Sequence, residues 1–225
     1  MKSFIYILLT SLTFLVVGCQ NESEEIRLIN QAERLFDAYP DSVITTLDSI
    51  PLPEEMSPRL IARWCMLYAR AADKIEDEMP YTNQLEIALK YYQKKKMREE
   101  EAEIGLYLGR SYVEDKEYEK AMRAYSDALE VALAIKNYNR AGYICSYMGD
   151  LYEVDLRYIL AAEKYKESGK YFHLANNTTS YVRAFVNEGR SYMSVDSNYL
   201  ALASLKQAEV IMDSLNVENV KTYVY

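Results

Sequence analysis

The sequence predicts an all-α solenoid of antiparallel helix pairs with a forty-residue period. Gly109-Arg110-Ser111-Tyr112, Gly149-Asp150-Leu151-Tyr152 and Gly189-Arg190-Ser191-Tyr192 recur at that spacing. Small residues follow at fixed offsets, first Ala121, Ala161 and Ala201, then Ala128, Ser168 and Ala208, with Tyr125, Tyr165 and Leu205 between them. Small side chains on two consecutive helical stretches let the helices approach closely, and the aromatics fill the space between successive pairs. Half of the 225 residues are apolar, yet only seven are glycine and five proline, too few turn formers for a β-sandwich. The strange number is 22 tyrosines.

The chain opens with Lys2 and an apolar run from Phe4 to Val17. This is a signal-peptide pattern, too short for a comfortable membrane span. It ends in Val16-Val17-Gly18-Cys19, which resembles the bacterial lipobox, and polar Gln20-Asn21-Glu22 follows at once. The expectation is a lipoprotein signal peptide over residues 1–18 and an acylated Cys19 with a short tether over 19–23. An ordinary signal peptide or an uncleaved anchor is the competing reading. Removing residues 1–18 takes away one lysine and no acid, moving the net charge from −8 to −9. Several acyl chains on one cysteine give stable attachment. Gln20 is not the aspartate that retains many lipoproteins in the inner membrane, and Glu22–Glu25 resembles the surface-export signals of Bacteroidetes-type lipoproteins. The expected address is therefore the cell envelope, at the outer membrane, facing the periplasm or the surface.

Residues 24–57 are expected to form an N-terminal capping hairpin and connector. Glu24–Tyr39 is a candidate helix broken at Pro40, and Asp41 is a candidate cap for a short helix running to Ile50. Pro51-Leu52-Pro53 is a rigid connector, and Ser57-Pro58 restarts helix with proline in the tolerated first turn. Repeats then fill 58–221, in units of about 62–101, 102–141, 142–181 and 182–221. Ala69, Tyr81, Leu85 and Ala88 carry the same beat forty residues before the first strong unit. Each unit has a first helix such as Ala102–Glu114, a turn at Asp115-Lys116-Glu117, and a second helix, Tyr118–Lys136. Residues 222–225 would begin a further unit. A solenoid ends in a polar capping helix, so the array is either naturally open or interrupted there, and interruption is favoured.

These offsets resemble the tetratricopeptide repeat (TPR) family, whose signature has small residues at positions eight, twenty and twenty-seven and aromatics at eleven and twenty-four. The stretch AERLFDAYPDSVITTLDSI ahead of the repeats resembles TPR lipoproteins and membrane-bound TPR regulators of Bacteroidetes. The period is forty rather than 34, and Leu133, His173 and Asp213 stand where the family places a helix-breaking proline. A second helix about six residues longer accounts for the difference. It would end near Asn137, Asn176 or Asn177, and Asn216, since asparagine tolerates the left-handed conformation that closes a helix.

The register divides the candidate functional residues from the core. Tyr91, Tyr112, Tyr118, Tyr125, Tyr152, Tyr158, Tyr165, Tyr171 and Tyr192 fall where side chains pack between helices. The resemblance implies a concave groove lined by the first helices. Its ninth position holds Arg70, Arg110, Asp150 and Arg190, and its second holds Arg63, Tyr143 and Arg183. One reading is an arginine ladder gripping carboxylates of an acidic peptide. The other is local pairing of Arg110 and Arg190 with acids such as Glu103, Glu114, Asp150 and Glu153 on a solvated helix face.

Other chemistries are poorly supplied. Net charge −8 disfavours nucleic acid, which needs a basic face. One histidine and three cysteines provide no metal-ligand cluster, and no phosphate loop, HExxH or GxSxG occurs. No cofactor and no catalytic residue is expected. Cys65 and Cys145 fall in buried slots, too far apart for a disulfide. The leading expectation is a non-enzymatic envelope lipoprotein that binds a protein or peptide in its groove. A glycan-binding SusD-like nutrient-capture lipoprotein, or the sensor part of a TPR signalling regulator, are the alternatives.

Overall fold

The computed structural model describes residues 24–50 and 55–215, and every regular element among them is helical. The expected signal peptide, Cys19, the Pro51–Pro53 connector, Asn216 and the start of a further unit lie outside the described residues. The chain divides into two compact units, the first ending at Tyr91 and the second starting at Tyr92.

In the first unit α1 covers 24–35, followed by α2 (Pro40–Asp48), α3 (Pro58–Ile75) and most of α4 (Thr82–Lys95). Pro40 ends one helix and starts the next, because its fixed φ suits a first turn and its missing N–H is not needed there. Asp41 does not cap α2. Tyr39 occupies the cap position without a side-chain bond, and Asp41 sits inside the first turn, where its charge complements the helix dipole. Helix α3 buries Leu60, Ile61, Trp64, Cys65 and Met66. The Trp64 indole donates to the Leu47 carbonyl of α2 at 3.2 Å, satisfying the one polar atom of that buried ring.

The second unit holds α5 (Arg98–Glu114), α6 (Tyr118–Ala134), α7 (Tyr138–Val154), α8 (Tyr158–Leu174), α9 (Thr178–Met193) and α10 (Asn198–Leu215). Each helix packs against the next, and α5 also reaches α7. Helices α5 to α8 have 17 residues each, so the second helix is long as expected, ending at Ala134 rather than Lys136, but it does not carry the extra length alone. Part of the extra length lies at the front of the first helix: α5 begins at Arg98 rather than Ala102.

The turns explain this equality. Left-handed residues stand at Glu76, Lys96, Lys116, Lys136, Leu156, Asn176 and Asp196, one every twenty positions. At each turn of the second unit two reversed hydrogen bonds close the helix, as in Asn137 N–H to Ala132 O (2.9 Å) and Lys136 N–H to Leu133 O (3.0 Å). This is the Schellman closure, which glycine ordinarily serves. Here none of the left-handed residues is glycine, and only Asn176 is an asparagine. Asn137 and Asn177 do other work: their side chains cap α7 and α9 by accepting from Arg140 N–H and Ser180 N–H.

The glycines serve helix approach instead. A Cβ on Gly109 would lie 2.2 Å from Tyr125 Cε1, and one on Gly149 would lie 2.7 Å from Tyr165 Cε1. Tyr125 and Tyr165 are fully buried, and Tyr112 is buried as well. Five more of the nine expected packing tyrosines (Tyr91, Tyr152, Tyr158, Tyr171 and Tyr192) are half-buried, whereas Tyr118 is exposed at the first turn of α6. Tyr92 and Tyr107 join the core unannounced by the register. Cys65 and Cys145 are buried free thiols.

Two substitutions separate these devices in thermal or urea unfolding. Leu156 is 71% exposed and left-handed. Leu156→Gly relieves strain of roughly 1–2 kcal/mol against a chain-entropy cost of roughly 0.5–1 kcal/mol. It is expected to raise stability slightly, by up to about 1 kcal/mol. Gly109→Ala improves helix propensity but drives a methyl into a rigid ring, so it should lower stability by about 1–3 kcal/mol.

Candidate functional site

The second unit contains a cleft of about 170 Å³ between its first helices, lined by Tyr143, Tyr147 and Asp150 of α7, Phe172 of α8, and Arg183 and Asn187 of α9, among others. The spacing i, i+4, i+7 places Tyr143, Tyr147 and Asp150 on one face of α7. On α9, Arg183, Asn187 and Arg190 share a face by the same rule. Three residues expected at the groove, Tyr143, Asp150 and Arg183, therefore meet in one place.

The rings are held by their neighbours. Tyr143 is 37% exposed, packs edge-on against Phe172 with centroids 4.9 Å apart, and its hydroxyl lies 3.3 Å from Ser180 Oγ. Tyr147 stacks on buried Tyr125 (6.2 Å, 13° between planes), and the Arg110 guanidinium lies over the Tyr147 ring at 5.3 Å. That cation–π contact holds Arg110 beside the cleft without forming part of its wall.

Asp150 is the electrostatic centre. The residue is exposed at its outer side, yet its carboxyl group is crowded by protein atoms. That desolvation pushes its pKa up to about 6, reinforced by the negative charge of Glu153. The Tyr165 hydroxyl, donating to Asp150 Oδ1 at 2.6 Å, and the Arg110 charge pull the other way. Glu153 accepts from Ser191 Oγ at 2.5 Å, which ties α7 to α9.

The expected arginines separate. Arg110 and Arg183 belong with the cleft. Arg190 is exposed on α9 and forms no ion pair among the described residues. Arg63, in the first unit, donates to Glu33 Oε1 (2.7 Å) and Asn30 Oδ1 (2.8 Å), so it ties α3 to α1. Arg70 is half-buried on α3 in the first unit. Of the acids named as local partners, Glu103 is buried and pairs with Arg140 at 2.9 Å while accepting from Tyr107 at 3.2 Å, whereas Asp150 does feel the Arg110 charge. Nothing in the spacing of Glu103 and Arg140, 37 positions apart, announced that pair. Among the described residues no three His, Cys, Asp or Glu side chains cluster as a metal site.

No protein-family model and no curated protein matches the chain. Solved structures do. RapI in its apo form aligns with TM-score 0.67 at 13% identity, over 86% of this chain and 72% of its own. A putative kinesin light chain of Podosopora anserina with nearly identical TPR-like repeats gives 0.63 at 12% identity, over 87% and 98%. Bacillus thuringiensis PlcR in complex with the peptide PapR7 and DNA gives 0.57 at 13%, over 90% and 74%. The fold is TPR-like. At these identities the likeness concerns architecture, and the site must be argued from its own residues.

Tyr165→Phe removes the donor that stabilises the Asp150 carboxylate while keeping the ring over Gly149. The Asp150 carboxyl, followed by carbon NMR across a pH titration, is then expected to titrate above its starting value of about 6. An unchanged midpoint would mean the 2.6 Å contact carries no electrostatic weight.

Proposed function

We propose that the chain is a non-enzymatic scaffold that holds an extended, acid-bearing peptide segment of a partner protein in the cleft between α7 and α9. The observation that carries this reading is the convergence of Tyr143, Asp150 and Arg183 on one open cleft, with Arg110 beside it. Tyrosines offer broad contact at small entropy cost, and guanidinium groups fit carboxylates. Peptide capture by the similarly folded PlcR agrees with such a use of the architecture. The glycan alternative would need an open aromatic platform, and both cleft tyrosines already engage neighbouring rings.

We further propose that Cys19 tethers this scaffold in the cell envelope through lipid, at the outer membrane. The support is the order of Lys2, the apolar run, Gly18-Cys19 and the acidic tether. Cys19→Ser should move the protein from the membrane fraction to the soluble one and abolish labelling by radioactive fatty acid. Persistence in membranes would remove the anchor.

Asp150 gives peptide binding a pH signature. Above its pKa of about 6 the group is ionised and repels peptide carboxylates; below it the group is neutral while those carboxylates stay charged. Affinity for an acidic decapeptide panel, read by fluorescence anisotropy, should therefore rise about threefold from pH 7.5 to 5.5, the size of one partly screened charge. Asp150→Asn should flatten that dependence, and Arg183→Ala should weaken binding at every pH. Binding indifferent to Arg183→Ala and Arg110→Ala would sink the groove assignment.

A further inference from the structure

The first unit carries a second cleft, of about 290 Å³, with different chemistry. It is enclosed by the end of α2, the face of α3 that carries Trp64 and Tyr68, and the segment from Glu78 to Gln84 leading into α4. Trp64 and Tyr68 form one wall, their ring centroids 5.0 Å apart and tilted by 36°. Met79 and Pro80 are buried beneath, and Tyr81, 77% exposed, stands at the rim.

The polar groups here mostly accept. Asp48 and Glu78 line the cleft, and Asp77 adjoins Glu78, its Oδ1 accepting from the Glu78 N–H at 2.8 Å. No lysine, arginine or histidine is among the lining residues, and the three acids form no ion pair with a described residue. The indole N–H of Trp64 is already spent on the Leu47 carbonyl. Gln84, only 6% exposed, lines the same cleft, and its Oε1 has no donor. Burial together with the charges of Asp48 and Asp77 pushes the Tyr68 hydroxyl up to about 12. Burial first, then Asp77, raises Asp48 as well.

Aromatic faces beside unpaired carboxylates, with an orphan acceptor in the wall, form a site short of one positive, donor-bearing group. We propose that this cleft binds an organic ammonium group, through ring faces of Trp64, Tyr68 and Tyr81 and the carboxylates of Asp48 and Glu78. An alkylammonium offers a cation for the ring quadrupoles, N–H donors for the acids and a stem for the apolar floor. Its volume allows a four- or five-carbon amine, whether a free small molecule or the end of a lysine side chain. The site lies wholly in the first unit and is independent of the peptide cleft.

Trp64 is the sole tryptophan of the chain, so its emission reports this cleft alone. The full chain in nonionic detergent is titrated at constant ionic strength with n-butylammonium, tetramethylammonium, the peptide acetyl-Gly-Lys-Gly-amide, and the neutral alcohol 3,3-dimethylbutan-1-ol. The expected result is a saturable emission change with the cations and none with the alcohol. Asp48→Asn combined with Glu78→Gln should weaken that response about tenfold, with helicity and melting temperature retained. A response to butylammonium but not to the peptide assigns a small amine, and a comparable response to both assigns a lysine side chain; either supports the site. No saturable change, an equal response to the alcohol, or an unchanged affinity in the double variant overturns it.

Discussion

A tyrosine ring laid over a glycine of the preceding helix is the contact on which the second unit depends. Tyr125 covers Gly109 and Tyr165 covers Gly149, each ring occupying space a β-carbon would need. Leu205 does the same over Gly189, with a shorter side chain and a looser approach. A helix pair held by such a contact has a set separation, because the ring is fully buried and cannot retreat. The left-handed turns keep the contact in phase: one left-handed residue every twenty returns each helix with the same face inward. That regularity is bought with side chains in a conformation that favours glycine.

The same contacts build the candidate cleft. Tyr165 reaches past Gly149, and its hydroxyl ends on Asp150 at the cleft. Tyr125 passes over Gly109 and stacks on Tyr147, whose ring carries Arg110. Core packing and site electrostatics are therefore parts of one structure. Burial raises the pKa of Asp150 and a residue whose ring belongs to the core partly offsets that, while Arg110 is positioned by a stack that begins in the interior. A partner engaging this face meets groups that are already ordered, which lowers the entropy cost of binding.

Much of this was legible because a repeat states its rules several times. The glycine, alanine and aromatic offsets identified the helix pairs, and the buried Tyr112, Tyr125 and Tyr165 followed from them. The turn at Asp115-Lys116-Glu117 and the start of α6 at Tyr118 fall where the repeat places them, whereas the start of α5 and the residues that close the helices do not follow from it. Lys116, Lys136 and Leu156 give no sign of a left-handed conformation; of the expected asparagines Asn176 adopts it, while Asn137 and Asn177 cap the next helix. Asp41 misled in the same way, since an acid beside a proline suits both a cap and a first turn. Within the site, Tyr143, Asp150 and Arg183 were found through register. The bond from Tyr165 to Asp150, the stack under Arg110 and the burial of Glu103 required coordinates, because each joins residues on different helices.

Register also has a limit that the second position of the repeat exposes. Arg63, Glu103, Tyr143 and Arg183 are equivalent by offset, yet each does something different. Arg63 ties α3 to the off-register helix α1. Glu103 is buried and holds Arg140 and Tyr107. Only Tyr143 and Arg183 face the cleft. In a stacked repeat the backbone position is inherited from the period, but the surroundings come from the neighbouring units. Equivalent residues are thus free to serve as staple, core partner or binding surface. A ladder drawn from offset alone overstates the arginines: in the second unit Arg110 lies over Tyr147 and Arg183 lines the cleft, offset from one another and near the Asp150 carboxyl.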